Sequence, residues 1–195
     1  KVMFAQLKDK ANSPYYYGAN YYYGFIQQEE GNYENALSCF EIVKDIPPYS
    51  SVVPYYMTNI YFQQKKFEKV ISYAEPLIAD TKLVYYAEIN SLLGQAYFYK
   101  ENYKKALPYL SYYIEKAKNI RDEDYYQLAF THYKTKDYNA AIATLKETSD
   151  DDDTLYQHIQ FLYGNCYIEL NKKDEARNAF MEASRIGVDA EIHES

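Results

Sequence analysis

The feature that most constrains this chain is a short motif that recurs five times at nearly equal intervals. It reads GNYENALSCF at 31–40, with counterparts at 65–74, 101–110, 136–145 and 171–180. A small residue in the middle of each copy serves as an anchor; the anchors are Ala36, Val70, Ala106, Ala141 and Ala176. Their spacings of 34, 36, 35 and 35 residues are typical of a repeat protein, in which each unit packs on its neighbours.

Two further columns keep the register of the anchors. Twelve residues before each anchor stands a small residue: Gly24, Thr58, Gly94, Ala129 or Gly164. One residue earlier stands a large one: Tyr23, Met57, Leu93, Leu128 or Tyr163. Spacings of 3 and 4 between such positions predict helices, and polar stretches such as EEGN at 29–32 and KTKD at 134–137 predict the turns between them. Each unit therefore reads as helix, turn, helix, and the pattern predicts an all-α fold.

The column of small residues has a physical reason. Where two paired helices cross, a large side chain would hold the backbones apart, so Gly or Ala lets the neighbouring side chains interdigitate. Gly24 therefore belongs inside a helix despite its low helix propensity, and we expect Tyr23 beside it to face the core.

This layout resembles the tetratricopeptide repeat, which has a large, a small and an aromatic residue on its first helix, then Ala and Phe, then Pro. The stretch LLGQAYFYKENYKKALPYL at 92–110 carries the pattern most fully. The resemblance implies a right-handed α-solenoid of helix-turn-helix repeats. The chain departs from the pattern at four positions. Gln27 and His132 stand where an aromatic residue is expected, Lys173 replaces the aromatic residue of the turn, and Ala74 replaces a large core residue.

The repeat register predicts boundaries along the chain. We expect a single solenoid domain over 1–195, with repeats at 17–50, 51–84, 87–121, 122–156 and 157–190; residues 1–14 read as the end of a truncated preceding repeat. The sequence thus reads as part of a longer repeat protein. Pro76 and Pro108 are predicted to lie within second helices, where a proline occupies the first turn or bends the helix.

A second stripe on the first helices is the candidate site. It lies fifteen, eleven and eight residues before the anchors, on one helix face. In the tetratricopeptide family this face lines the concave groove that holds peptides or partner helices. The stripe consists of Tyr21, Phe25, Gln28, Tyr55, Asn59, Phe62, Ser91, Gln95, Phe98, Tyr126, Phe130, Tyr133, Phe161, Asn165 and Ile168. Rings beside amides are typical of recognition surfaces, whereas the alternative is that these rings are buried between adjacent repeats.

The resemblance also indicates which ligand to exclude. Relatives that bind chaperones clamp a peptide carboxylate with groove Lys, Asn and Arg, but this chain has Tyr21, Phe25, Tyr56, Glu88 and Leu92 at those places. A carboxylate clamp is therefore not expected. The groove is neutral to acidic and suits apolar, aromatic or basic segments.

Charge and hydropathy narrow the partners further. The chain has 21 Lys and Arg against 28 Asp and Glu, a net charge of −7, which argues against nucleic acid or an anionic membrane surface as the main partner. No stretch approaches the roughly 20 apolar residues of a membrane span, so membrane insertion is not expected.

The residues capable of chemistry do not form a catalytic pattern. Cys39 and Cys166 are too few for a disulfide framework and are expected to be buried apolar residues. His132 is expected to be a hydrogen-bonded core residue, His158 a possible groove contact and His193 part of a tail. The acidic runs SDDDDT at 149–154 and RDED at 121–124 lack the ligand spacing of a calcium loop and read as solvated segments that favour helix N-termini.

These observations predict a non-enzymatic scaffold that binds a protein or peptide, with no cofactor and no metal. The main alternative is an assembly spacer whose groove is filled by its own repeats or by a second copy. Sugar binding through stacked rings is a third class, weakened by the absence of Trp. Repeat proteins this rich in tyrosine (27 residues) resemble large envelope-associated scaffolds of some bacteria, which favours a periplasmic or cell-envelope site.

Overall fold

The computed structural model describes residues 1–149 and 153–186, and these residues form helices and turns without a β-strand. The expected all-α fold is confirmed. The chain divides into two compact units, residues 1–100 and residues 101–195. The predicted repeat boundaries and the single domain remain predictions.

Unit 1 contains six α-helices, namely a short leading helix, two pairs of consecutive helices and a final helix. They are α1 (Val2–Leu7), α2 (Tyr16–Glu29), α3 (Tyr33–Val43), α4 (Val53–Gln63), α5 (Phe67–Ala74) and α6 (Tyr86–Tyr99). Helix α2 packs on α3, and α4 packs on α5. Short 3-10 helices, Tyr49–Ser51 and Glu75–Ala79, precede α4 and follow α5.

Within the described part of unit 2 the same pairing continues. The helices are α7 (Tyr103–Lys116), α8 (Asp122–Lys134), α9 (Tyr138–Leu145), α10 (Asp153–Glu169) and α11 (Lys173–Ile186). Helix α8 packs on α9, α10 packs on α11, and α7 contacts α8.

The turn inside each helix pair has one repeated backbone conformation. Five residues before each anchor, the backbone adopts a positive φ, between 55° and 76°, at Gly31, Lys65, Glu101, Lys136 and Asn171. The amide of Lys136 donates to the carbonyl of Tyr133 at 2.9 Å, and that of Asp137 to the carbonyl of His132 at 2.9 Å. This is the Schellman arrangement, which satisfies carbonyls at the helix end and normally favours glycine.

The repeat columns form the core. All five anchors are buried, with at most 1% exposure. In unit 1 the core includes Phe40, Met57 and Ile60, and in unit 2 it includes Leu145 and Ile159. The periodic positions therefore mark the buried faces of the helices.

The close approach predicted at the small column is present at two glycines. A Cβ at Gly24 would lie 2.9 Å from Phe40 Cε1, and one at Gly164 would lie 2.4 Å from Phe180 Cε1. Both rings belong to the partner helix, four residues after the anchor. Glycine is thus required there because an aromatic ring occupies the space of its missing side chain.

The structure corrects several expectations about single residues. Pro76 lies in the first turn of a separate 3-10 helix rather than in α5, which ends at Ala74, whereas Pro108 lies inside α7, as predicted. Tyr23 is half-buried rather than fully buried in the core, with the Lys8 ammonium 5.6 Å from its ring centroid. The buried Nδ1 of His132 lacks a hydrogen-bond partner, so His132 is not the hydrogen-bonded residue expected.

The acidic run at 121–124 does begin a helix, as expected, but it is not fully solvated. Asp124 is 6% exposed and accepts hydrogen bonds from Arg121 Nε at 3.2 Å and from Arg121 Nη2 at 3.1 Å. Burial of this carboxylate is compensated by the bidentate guanidinium. Residues 150–152 of the other acidic run, and His193, lie outside the described residues.

Candidate functional site

Six rings in unit 1 form a continuous surface, which we call the unit 1 ring cluster; its members are Tyr21, Phe25, Tyr49, Tyr55, Tyr56 and Tyr85. Tyr21 stacks on Tyr49 with centroids 4.9 Å apart, and Tyr55 lies 4.6 Å from Tyr85. Tyr56 joins the two halves, at 6.3 Å from Tyr21 and 6.0 Å from Tyr85. Such offset and tilted pairs are the favoured geometry between aromatic rings.

Helix periodicity and the connections between helices bring these rings together. Tyr21 and Phe25 lie one turn apart on α2, while Tyr55 and Tyr56 lie in the first turn of α4. Tyr49 and Tyr85 stand twenty-one residues before their anchors, on the connections that lead into α4 and α6. Sequence reasoning selected Tyr21, Phe25 and Tyr55 but missed the other three. Tyr49 and Tyr85 share a periodic column that would have revealed them.

The cluster is partly accessible. Phe25 is 38% exposed, and the other five rings are half-buried. Burial, with hydrogen bonding to Tyr21 and Tyr85, raises the pKa of Tyr56, so its hydroxyl stays neutral. Burial raises the pKa of Tyr55, and the negative charge of Glu88 raises it further.

A second group of rings lies in unit 2. Phe130 is 6.0 Å from Tyr103, 6.2 Å from Tyr126 and 6.3 Å from Tyr133, measured between ring centroids. His158 lies 6.3 Å from Tyr126, next to the predicted stripe. Tyr126, Phe130 and Tyr133 also pack against the buried core of unit 2, so these rings contribute to packing between its helices.

Three other stripe residues contact further rings. Phe62 contacts Phe67 at 5.7 Å and Tyr99 at 6.1 Å, near the turn into α5. Phe98 lies 5.8 Å from Tyr99, and Phe161 lies 5.5 Å from Phe180 on α11.

The stripe also contains polar side chains. Gln95 donates to Ser91 Oγ at 2.8 Å within α6, and Asn59 and Asn165 are half-buried. The stripe thus combines rings and amides, and the unit 1 ring cluster joins three of its residues to Tyr49, Tyr56 and Tyr85.

Charge is distributed unevenly between the helices. The first helices of the pairs, α2, α4, α6, α8 and α10, carry Glu29, Glu88, Asp122, Glu123, Asp124, Asp153 and Glu169. Lys134 is the one lysine or arginine inside these five ranges. The basic residues of unit 1 thus lie on turns, second helices and chain connections.

Neither cysteine is placed for nucleophilic chemistry. Cys39 and Cys166 are free and buried, as expected, and burial raises the pKa of Cys166 to about 11. Among residues 1–149 and 153–186, no group of three or more His, Cys, Asp or Glu is arranged to hold a metal ion.

The paired helices, the repeat of about 35 residues and the buried columns define the class: the chain has the tetratricopeptide-repeat fold. A family model, the anaphase-promoting complex (cyclosome) subunit 3, matches residues 100–183. No curated protein matches the chain.

Solved structures agree with this fold over most of the chain. YrrB, described as a TPR protein with an unusual peptide-binding site, has a TM-score of 0.75 and 16% identity, covering 97% of this chain and 94% of its own. MamA AMB-1 has a TM-score of 0.71 and 19% identity, with coverage of 91% and 96%. A MamA RS-1 double mutant has a TM-score of 0.70 and 13% identity, with coverage of 88% and 94%. At these identities the likeness shows the fold alone.

Hydropathy adds one finding. In the described part of the chain, none of the helices combines the length and the apolar character needed to cross a membrane.

Proposed function

We propose that this chain is a non-enzymatic scaffold that binds a protein or peptide segment on the first helices of its repeats. The observation that carries the proposal is the unit 1 ring cluster, a partly exposed aromatic surface made by side chains of two first helices and two connections. Rigid rings with polar hydroxyls give large contact area at low entropic cost and dominate binding energy at interfaces.

The fold supports this assignment. Repeat proteins with paired helices present extended surfaces that are suited to partner segments. YrrB, which shares the fold over 97% of this chain, is described as having a peptide-binding site. A non-enzymatic role is also consistent with the two buried cysteines. Burial raises the pKa of both thiols, and the thiolate is the reactive form of cysteine.

The experiment is selection from a displayed random peptide library, followed by binding measurements on individual peptides. Phe25→Ala/Tyr55→Ala removes two rings of the cluster, and Tyr17→Ala removes an exposed tyrosine (44% exposed) from α2 outside it. We expect selected peptides to lose at least about tenfold in affinity on the double variant and little on the control, because a hot-spot truncation costs more than 1 kcal/mol. Circular dichroism must show that both variants keep their helices. Equal loss on both, or no selected peptide, would contradict the proposal.

A spacer that associates with itself is the second candidate, and one observation favours it. Met3, Phe4, Tyr15 and Tyr22 line an apolar cavity of about 470 Å³ between α1 and α2. Met3 and Tyr15 are 62% and 67% exposed. Sedimentation equilibrium of the wild type and of Met3→Glu tests this: an oligomer that dissociates in the variant supports the spacer, and a wild-type monomer at high concentration removes it.

A further inference from the structure

We propose that the unit 1 ring cluster takes an extended segment that carries arginine, an inference that rests on the proposed function and specifies its partner. It follows from the placement of charge around these rings, which the structure describes entirely within residues 1–100.

The first observation is Glu88, which lies in the first turn of α6. It follows Tyr85 of the cluster by three residues, about one helical turn, and its side chain is half-buried. Glu88 takes part in none of the ion pairs within the described residues, although exposed acids such as Glu34 and Glu41 pair with lysines. A partly desolvated carboxylate without a cation is stabilised by a ligand that supplies one.

The second observation is the behaviour of rings elsewhere in the chain. Lysine ammoniums lie over Tyr61 at 5.7 Å, over Phe130 at 5.1 Å and over Tyr167 at 5.9 Å, measured to ring centroids. Within unit 1 the rings of Tyr21, Phe25 and Tyr55 have no such cation over them, because α2, α4 and α6 contain no lysine or arginine. Phe25 is 38% exposed and Tyr21 and Tyr55 are half-buried, so a cation from a partner can approach the accessible parts of these rings.

Arginine fits this arrangement better than lysine. Its planar guanidinium stacks on tyrosine rings and can at the same time donate two parallel hydrogen bonds to one carboxylate. The rings of Tyr55 and Tyr85 stand 4.6 Å apart, and Glu88 follows Tyr85 by about one helical turn, so an arginine stacked on the outer side of this ring pair can extend toward the carboxylate. The lysine ammonium is a point charge, so it can either lie over a ring or pair with the carboxylate, but it does not combine stacking with two parallel hydrogen bonds.

The test uses four capped synthetic peptides with one shared sequence, (Ala-X-Pro-Leu)₃, in which X is arginine, lysine, citrulline or glutamate. Binding to the full chain is followed by fluorescence anisotropy at low and high salt. We expect the arginine peptide to bind at least about tenfold more tightly than the citrulline peptide, the lysine peptide to fall between them, and added salt to weaken only the cationic peptides.

Two variants locate the effect. Glu88→Gln should weaken the arginine peptide about three- to tenfold and leave the citrulline peptide unchanged, because only the charged side chain uses the carboxylate. Glu41→Gln, which removes an acid from the second helix α3, is the matched control and should change neither peptide.

The outcomes separate this inference from the proposed function. If citrulline or glutamate peptides bind as well as the arginine peptide, or if Glu88→Gln affects all of them equally, the arginine partner is wrong while a peptide-binding ring surface stands. If the four peptides and every library peptide fail to bind, both proposals are wrong.

Discussion

The close approach at Gly24 allows the cost of one methyl group to be worked out. In Gly24→Ala the new Cβ would lie 2.9 and 3.0 Å from two ring carbons of Phe40 and 3.1 Å from Cys39 Cβ. Phe40 is fully buried, and its ring stacks on Tyr56 with centroids 5.7 Å apart. The ring therefore cannot turn aside, and Cys39 Cβ can move only with the backbone of α3. Overpacking of this kind costs about 1–3 kcal/mol.

Gly18→Ala on the same helix is the control. A Cβ there would meet only the hydroxyl of Tyr49, at 3.3 Å, so alanine should be neutral or gain up to about 1 kcal/mol from its helix propensity. We expect the free energy of unfolding of Gly24→Ala to be lower than that of Gly18→Ala by about 1–3 kcal/mol. Urea unfolding followed by far-ultraviolet circular dichroism measures the difference.

A second substitution tests whether the ring is the cause. Gly24→Ala/Phe40→Leu reproduces the pair Ala129 and Leu145, which stand at the same sixteen-residue spacing in unit 2 and belong to its core. The double variant should be less destabilised than the sum of the single ones, with a coupling of about 0.5–2 kcal/mol. Additive effects, or a Gly24→Ala variant as stable as Gly18→Ala, would refute the reasoning.

Three further expectations concern other parts of the chain. Lys136→Gly should stabilise the folded chain by about 1 kcal/mol, and Gly31→Ala should destabilise it by about as much. Both positions have a positive φ (68° and 76°), which costs a residue with a Cβ about that amount. The two variants should therefore shift the urea midpoint in opposite directions. Burial raises the pKa of Cys166 to about 11, so labelling of the thiols at pH 8 should be slow in the native chain. In urea the labelling rate should follow the unfolding curve. Rapid labelling of the native chain would contradict the burial. Desolvation, together with the hydrogen bond donated to Glu75 Oε1 at 2.7 Å, raises the pKa of Tyr97 to about 12. The contribution of Tyr97 to stability is therefore complete below pH 10. It is lost between pH 10 and 12, because this tyrosine ionises first in the unfolded chain. The urea midpoint of the wild type should therefore fall more steeply above pH 10 than that of Tyr97→Phe, and parallel slopes would disprove the contribution.

The fold could be predicted from the sequence because each helix pair repeats the same physical requirements. A buried anchor such as Ala36 and a close approach such as Gly24 recur at fixed distances, so five weak patterns support one register. The 3-10 helix at Glu75–Ala79 was missed because the repeat pattern continues past Ala74, whereas Pro76 cannot supply the amide that α5 would need there.

The candidate site was predicted only in part. Helix periodicity places Tyr21, Phe25 and Tyr55 on one face, but it does not determine which neighbouring rings they touch. Tyr49 and Tyr85 lie on connections, where no helical period applies, so only their shared place in the repeat, twenty-one residues before the anchors, indicates them. Phe62 shares the periodic position but turns to Phe67 and Tyr99, because ring direction depends on local partners.

The matched sizes inside each helix pair bear on how such a chain can be rearranged during evolution. Gly24 on the first helix of its pair faces a phenylalanine on α3. The equivalent positions of the next pair hold Thr58 and Ala74, which are also sixteen residues apart and fully buried. A larger residue on the first helix thus goes with a smaller residue on the second. A duplication or exchange whose crossover falls between pairs keeps these partners together. A crossover inside a pair's own turn would combine Thr58 with a ring such as that of Phe40, and the hybrid helices could no longer close on each other.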